Sequence, residues 1–170
     1  PLTISAVAKL IERGMLDLDD RVADYVPEFA ANGKINVTVR HCATHTSGLP
    51  DMLPENIELR EANAPLSEFV ASTCRTHLLF APGTNVSYQS MGVLMLAEVA
   101  KRISGTPTAD YLAEVLLGPS GMASSHLGWR SDFEGRLVAA KVEDAAGTEH
   151  WNHNSLYWRN LPVPWDGVHS

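Results

Sequence analysis

The stretch APGTNVSYQSMG, residues 81–92, places a tyrosine between two serines where a loop runs into a helical pattern. A tyrosine hydroxyl, with an ordinary pKa of about 10, acts as a base at neutral pH only when cationic neighbours favour its phenolate. With a lysine within hydrogen-bond reach, Tyr88 could accept or relay the proton of a nucleophilic serine. The alternative is a tyrosine that only packs against the core.

The histidines His41 and His45 are four residues apart, the spacing of two metal ligands on one face of a helix. No glutamate lies between them as in a His-Glu-x-x-His motif, and no third ligand can be named. Asp17, Asp19 and Asp20 lack the glycine and the distal glutamate of a calcium loop, which favours a solvated turn. We therefore assign no metal, and a zinc protein built on the two histidines stays an alternative that metal analysis would test.

The usual nucleophile motifs are missing from the sequence. It contains neither a Gly-x-Ser-x-Gly elbow nor a Ser-x-x-Lys motif. Ser5 and Lys9 are four residues apart and could share a helix face, but an ordinary helical serine explains the pattern better. No glycine-rich phosphate loop is present either.

The composition excludes several classes of protein. The 170 residues carry a formal net charge of −7, and the basic residues are scattered among acidic ones, which argues against a nucleic-acid partner. No apolar run approaches the length of about 18 residues that a membrane span needs. Two cysteines, Cys42 and Cys74, make neither a disulfide framework nor a zinc set, and their redox state is left open.

Helices must position any site in this chain. Apolar residues recur at helical spacing from Leu2 to Arg13, from Leu66 to Leu79 and, most strongly, from Ser90 to Ser104. Gly14 and Gly105 then mark two helix ends. Shorter helices are predicted before Tyr25, after a Thr38 cap with an end at Gly48, and after a Thr106 cap with Pro107 in the first turn.

The rest of the chain has weaker periodicity. Leu137 to Val142 has strand-type residues, and Asp144 to Thr148 is turn-like, so one hairpin is possible there. The segment from Asn36 to Val39 could be a brief strand, although the Thr38-capped helix is preferred. A loop is predicted from Gly48 to about Pro65. In the tail from Trp151 to Trp165 we expect tryptophans to anchor irregular chain to the core.

Five sequence stretches, in this order along the chain, favour the catalytic interpretation of Tyr88 over a packing role. Together they resemble the serine β-lactamase-related family, which contains class C β-lactamases, D,D-peptidases and β-lactamase-like esterases. The resemblance covers nearly the whole chain and is specific because it depends on ordered blocks. The stretches are LIERGMLDLDDRVADYVPEF, VTVRHCATHTSGLP, APGTNVSYQSMGVLMLAEVAKRISG, YLAEVLLGPSGM and PVPWDGVHS.

The family has three short active-site sequence motifs, called boxes, and this chain matches one of them. Tyr88-Gln89-Ser90 aligns with the Tyr-x-Asn box, which implies that Tyr88 is catalytic and that Ser90 binds substrate. Serine replaces the commoner asparagine and lacks the amide's paired donor and acceptor, which weakens a β-lactamase assignment. Trp165-Asp166-Gly167 mimics a variant of the third box but comes too soon after Tyr88.

The resemblance implies an α+β, β-lactamase/transpeptidase-like fold, of which this chain supplies mainly the helical lobe and little of the antiparallel sheet. Residues 1–170 are expected to form a partial domain that lacks the C-terminal sheet segment. The first box, Ser-x-x-Lys, carries the nucleophile, and its register puts the lysine just before Pro1. We therefore expect an internal fragment that is inactive alone.

The implied function of the parent protein is acyl-enzyme hydrolysis of an ester, amide or β-lactam, with no cofactor. The alternative is a non-catalytic binding or scaffold module, which the residues before Pro1 would distinguish. The expected partner is a small-molecule substrate, and neither the substrate class nor the oligomeric state is indicated. The compartment is left open between periplasmic or secreted and cytoplasmic.

Overall fold

A computed structural model of the protein describes residues 1–142 and 146–169, and it is mainly helical. A π-helical turn, Ala113–Leu117, extends α7, and short 3₁₀ turns join other elements. The helices are α1 Leu2–Glu12, α2 Val22–Tyr25, α3 Val39–Ala43, α4 Asn56–Glu61, α5 Leu66–Arg75, α6 Ser90–Ser104, α7 Thr108–Leu112 and α8 Leu156–Asn160; the strands are β1 His126–Leu127 and β2 Val168–His169.

Helix α6 lies at the centre of the fold. It contacts α1, α2, α3, α5 and α7, and its side chains are buried on nearly every face. A helix buried to this extent is stable only inside such a cluster, and its exposed residues, Lys101 and Arg102, lie in its last turn. Its predicted bounds are confirmed, and Gly105 ends it in the left-handed conformation at φ +70°. Because α6 packs against five helices, the residues at its first turn have a fixed position.

The helix that precedes the candidate site begins as predicted. The Thr38 hydroxyl accepts a hydrogen bond from the His41 N–H, and His41 Nδ1 accepts one from the Thr38 N–H. This reciprocal capping box starts α3, so the strand alternative is wrong. The helix ends at Ala43 rather than at Gly48, and the chain then turns into a loop.

Two other helix boundaries differ from the sequence expectations. Helix α5 ends at Arg75 instead of Leu79 because the side chains of Asn32 and Lys34 donate to the carbonyls of Arg75 and Thr76. These bonds satisfy groups that the helix end leaves open. Helix α7 begins one residue late: its N-cap is Pro107, and the side chain of Thr106 makes no cap.

The predicted strand from Leu137 to Val142 is wrong, since these residues form no regular secondary structure. The predicted turn at 144–148 lies partly outside the described residues. The two-stranded sheet instead pairs β1 with β2 in antiparallel register, with His126 opposite His169 and Leu127 opposite Val168. Within residues 1–142 and 146–169, no helix is long and apolar enough to cross a membrane.

The tail docks on the helices through its tryptophans, as predicted. The Arg60 guanidinium of α4 lies 3.9 Å from the Trp158 ring centroid and 5.0 Å from that of Trp151, and it donates to the Trp151 carbonyl. Trp158 is buried and meets Trp165 edge-on at 6.3 Å. Cation–π contact and ring packing therefore hold an irregular segment in place.

Both cysteines are free and buried, and this burial leads to a testable expectation. Burial raises the pKa of Cys42 to about 12 and that of Cys74 to about 11. Since the thiolate is the reactive form, Ellman's reagent at neutral pH should label both thiols slowly in the native full-length protein and rapidly after unfolding. Peptide mass mapping would identify the labelled sites. Fast native labelling of either residue would contradict this packing.

The raised pKa values of the two thiols determine how the stability of the fold changes with pH. An unfolded cysteine has a pKa of about 8.5, below both folded values. The stabilisation from keeping these thiols neutral is therefore complete below that pH and is lost as the pH rises towards the folded values.

Candidate active site

Tyr88 lies on the surface in the loop that enters α6. Its side chain is 64% exposed, and its hydroxyl forms no hydrogen bond with the described residues. One face of its ring packs against the His45 ring, with centroids 4.8 Å apart and planes inclined by 36°. The interpretation that Tyr88 is buried in the core is therefore wrong. The hydroxyl is open to a ligand while the ring is supported.

Gln89, the next residue, is the anchor of this segment and is fully buried. Its Nε2 donates to the carbonyls of His41 and Cys42 at 3.3 and 3.4 Å, and its Oε1 accepts from the Ser47 hydroxyl. A Cβ at Gly92, in the first turn of α6, would be 2.8 Å from Nε2. The amide thus joins α3, the following loop and α6 in one buried hydrogen-bonded unit.

Ser90, the first residue of α6, is 4% exposed. Its N–H and its hydroxyl both donate to Asp51 Oδ1, at 2.9 and 2.6 Å. A carboxylate at this position also interacts favourably with the helix N-terminus. Because the hydroxyl proton is used, Ser90 keeps only acceptor capacity towards a ligand. Its role in substrate binding stays a prediction.

The loop that follows α3 is fastened to residues 79–83. The carbonyl of Thr46 accepts from the Gly83 N–H at 2.8 Å, and that of Gly48 accepts from the Leu79 N–H at 2.7 Å. Gly48 has φ +82°, and a Cβ there would lie 2.2 Å from the Phe80 carbonyl oxygen. Only glycine fits so close to another backbone segment in this conformation.

The two histidines of the metal alternative do not share a helix face. Helix α3 ends at Ala43, and His45 lies beyond it with φ +58°, so the helical spacing does not apply. His41 Nδ1 is used in the capping box with Thr38. Among residues 1–142 and 146–169, no group of three His, Cys, Asp or Glu side chains is arranged to hold a metal ion.

The remaining sequence candidates have ordinary structural partners. Ser5 donates to the Pro1 carbonyl at 3.2 Å, while Lys9 pairs with Glu12 at 2.7 Å, so the two do not form a nucleophile–base pair. Asp19 pairs with Arg40 at 2.8 Å and its backbone N–H donates to Asp17, which is a solvent-exposed turn as expected.

Sequence reasoning missed the roles of four residues that build this site. Their roles depend on contacts about 40 positions away, and no local pattern marks such contacts. The block VTVRHCATHTSGLP marked the loop only through the resemblance, and the Tyr-x-Asn box assigns no role to its middle residue. The missed residues are His45, Ser47, Asp51 and Gln89.

Curated proteins similar to this chain include a penicillin-binding protein and an esterase. Penicillin-binding protein 4* of Bacillus subtilis (strain 168) is 30% identical over 162 residues, which are 92% of this chain and 34% of that protein. Esterase EstB of Burkholderia gladioli is 33% identical over 139 residues, which are 72% of this chain and 35% of that protein. The chain therefore spans about a third of the length of these curated relatives.

Solved structures agree on the fold. A family VIII carboxylesterase superposes with a TM-score of 0.79 at 26% identity, over 98% of this chain and 48% of that one. A penicillin-binding protein homologue from Caulobacter crescentus has a TM-score of 0.74 at 24% identity, over 99% of this chain and 50% of that one, which shows the fold alone. The expected fold class, with mostly helix and little sheet in this chain, is confirmed.

The family model described as Beta-lactamase matches residues 1–170. The ordered blocks, the central helix and the Tyr-Gln-Ser segment at its start all lie within this match. The chain belongs to the Beta-lactamase family of serine hydrolases.

Proposed function

We propose that the full-length protein hydrolyses an ester, amide or β-lactam through a serine acyl-enzyme, and that Tyr88 transfers protons in this reaction. The observation that supports the proposal most is the exposed Tyr88 residue, whose hydroxyl forms no hydrogen bond with the described residues. The next residue in the chain, Gln89, is fully buried. A group with this combination is accessible and also held in place. Both properties are needed for positioned acid–base catalysis.

The proposed reaction begins with a serine from a Ser-x-x-Lys box, which the resemblance puts before Pro1. Its oxygen attacks the substrate carbonyl carbon while Tyr88, acting with the lysine of that box, accepts the hydroxyl proton. Backbone N–H groups stabilise the oxyanion. When the tetrahedral intermediate collapses, the leaving group takes the proton from Tyr88, and water later hydrolyses the acyl-enzyme.

Ser90 is proposed to border the substrate as an acceptor, since its proton is donated to Asp51. No cofactor takes part in these steps. Residues 1–170 alone are proposed to be inactive, because a base without a nucleophile has nothing to activate.

A substrate panel on the full-length protein tests the reaction. Nitrocefin, a p-nitrophenyl ester and a D-Ala-D-Ala peptide represent the three substrate classes. We expect turnover of at least one of them, and the class that is turned over assigns the substrate. A serine-directed acylating probe should add one adduct and abolish that turnover.

The opposite result favours the non-catalytic alternative. If none of the three substrates is turned over and the probe leaves no adduct, the protein is a binding or scaffold module. Turnover that survives complete labelling by the probe would contradict the serine mechanism.

A further inference from the structure

We infer that His45 is a positioning residue that sets the orientation of Tyr88. This inference rests on the proposed catalytic function of Tyr88. One residue contacts three consecutive positions of the candidate site: the His45 carbonyl accepts from the Ser87 N–H at 3.0 Å, and its Nδ1 accepts from the Gln89 N–H at 3.3 Å. Between these two bonds, the imidazole packs against the Tyr88 ring at 4.8 Å.

The geometry of these contacts restricts Tyr88 in two ways. The hydrogen bonds on either side of Tyr88 hold the backbone that carries its Cα. The ring contact limits rotation of an otherwise 64% exposed side chain. A phenol fixed at both backbone and ring presents its oxygen in one direction, and such orientation is a large part of positioned catalysis.

The backbone of His45 has a left-handed conformation that is uncommon for residues other than glycine. His45 has φ +58°, and the other two non-glycine residues with positive φ in the described chain are asparagines. Glycine would adopt this conformation without strain. Strained residues that the surrounding structure holds in place cluster at functional sites. Here the bonds of Thr46 to His41 and Gly83 hold the loop.

The hydrogen bond also defines the state of the imidazole. To accept from the Gln89 N–H, Nδ1 must carry a lone pair, so the neutral ring has its proton on Nε2. A replacement that keeps an acceptor at the same place should therefore keep part of the function. Asparagine does so, because its Oδ1 occupies the position of Nδ1 and it tolerates positive φ.

The test uses two variants of the full-length protein on whichever panel substrate it turns over. His45→Gly relieves the backbone conformation and removes both the acceptor and the ring; kcat should fall about tenfold with KM little changed, since misplaced catalytic groups lose rate. His45→Asn restores the acceptor and should recover a measurable part of kcat. His77→Asn, in an exposed loop position, is the matched control and should behave as wild type. Thermal unfolding of each variant separates loss of orientation from loss of folding.

A double-mutant cycle distinguishes this inference from the proposed function. If His45 acts through Tyr88, His45→Gly should have no further effect on kcat in a Tyr88→Phe background. A full tenfold loss in that background, or wild-type kcat in His45→Gly itself, overturns the inference. If Tyr88→Phe alone leaves kcat unchanged, the proposed role of Tyr88 fails instead. Should His45→Gly not fold, equal kcat in His45→Asn and in a folded His45→Ala variant would overturn the contribution of the acceptor.

Discussion

Replacing Tyr88 by phenylalanine in the full-length protein should lower kcat/KM by about 10²–10⁴-fold, the usual contribution of positioned proton transfer. Stability should not change. The hydroxyl forms no hydrogen bond with the described residues and the side chain is 64% exposed, so its removal leaves no buried group unpaired. Steady-state kinetics on the substrate that the panel identifies, together with a thermal unfolding curve, would measure both effects.

Tyr157→Phe is the matched control for this variant, because the Tyr157 hydroxyl donates to the Ala64 carbonyl at 2.8 Å and joins the tail to the helices. Loss of that bond should reduce stability by about 1 kcal/mol and leave the rate unchanged. The two tyrosines are thus expected to show opposite effects. A Tyr88→Phe enzyme with the wild-type rate would show that the phenol takes no part in catalysis.

Replacing Gln89 by methionine should destabilise the protein by about 3 kcal/mol, because buried polar partners would lose their bonds at about 1–3 kcal/mol each. Methionine is close to glutamine in length and fills the same space, so the loss reports hydrogen bonding more than a cavity. The groups that lose their partner are the Ser47 O–H donor, whose oxygen still accepts from the Leu49 N–H, and the Cys42 carbonyl, both in fully buried residues. A lower urea midpoint at unchanged slope would measure this effect.

Val86→Ala is a control in the same loop, because Val86 is 69% exposed and its truncation should shift the midpoint very little. Activity gives a second readout: in Gln89→Met, the backbone of Tyr88 loses its buried support, so kcat should fall even at temperatures where the protein is folded. A Gln89→Met variant as stable as the wild type would mean that the buried amide network contributes nothing to the fold.

Much of the helical structure could be predicted because its signals are local. The apolar periodicity and terminal glycine of α6 are encoded within 16 residues, and both of its predicted ends are observed. The Thr38 cap and the end of α1 before Gly14 depend on equally short patterns. Local hydrogen bonding and side-chain spacing decide these elements, so the sequence alone is sufficient.

Elements that depend on distant partners were not predictable. Helix α4 and helix α8 have six and five residues, too few to show periodicity, and they are held by the contact of Arg60 with the tail tryptophans. The chain from Leu137 to Val142 has residues suited to a strand but is not regular structure. Strand propensity is expressed only where a neighbouring strand is available.

For the candidate site, the sequence by itself determined that a tyrosine and a serine stand at the start of a central helix, and its ordered blocks indicated the family. Only the tertiary structure decided that the Tyr88 hydroxyl is exposed, that Gln89 is the buried anchor and that Asp51 binds Ser90. It also turned His45 from a possible metal ligand into a support for Tyr88. These contacts join residues about 40 positions apart, and the packing of α3 and its loop against α6, rather than any local pattern, brings them together.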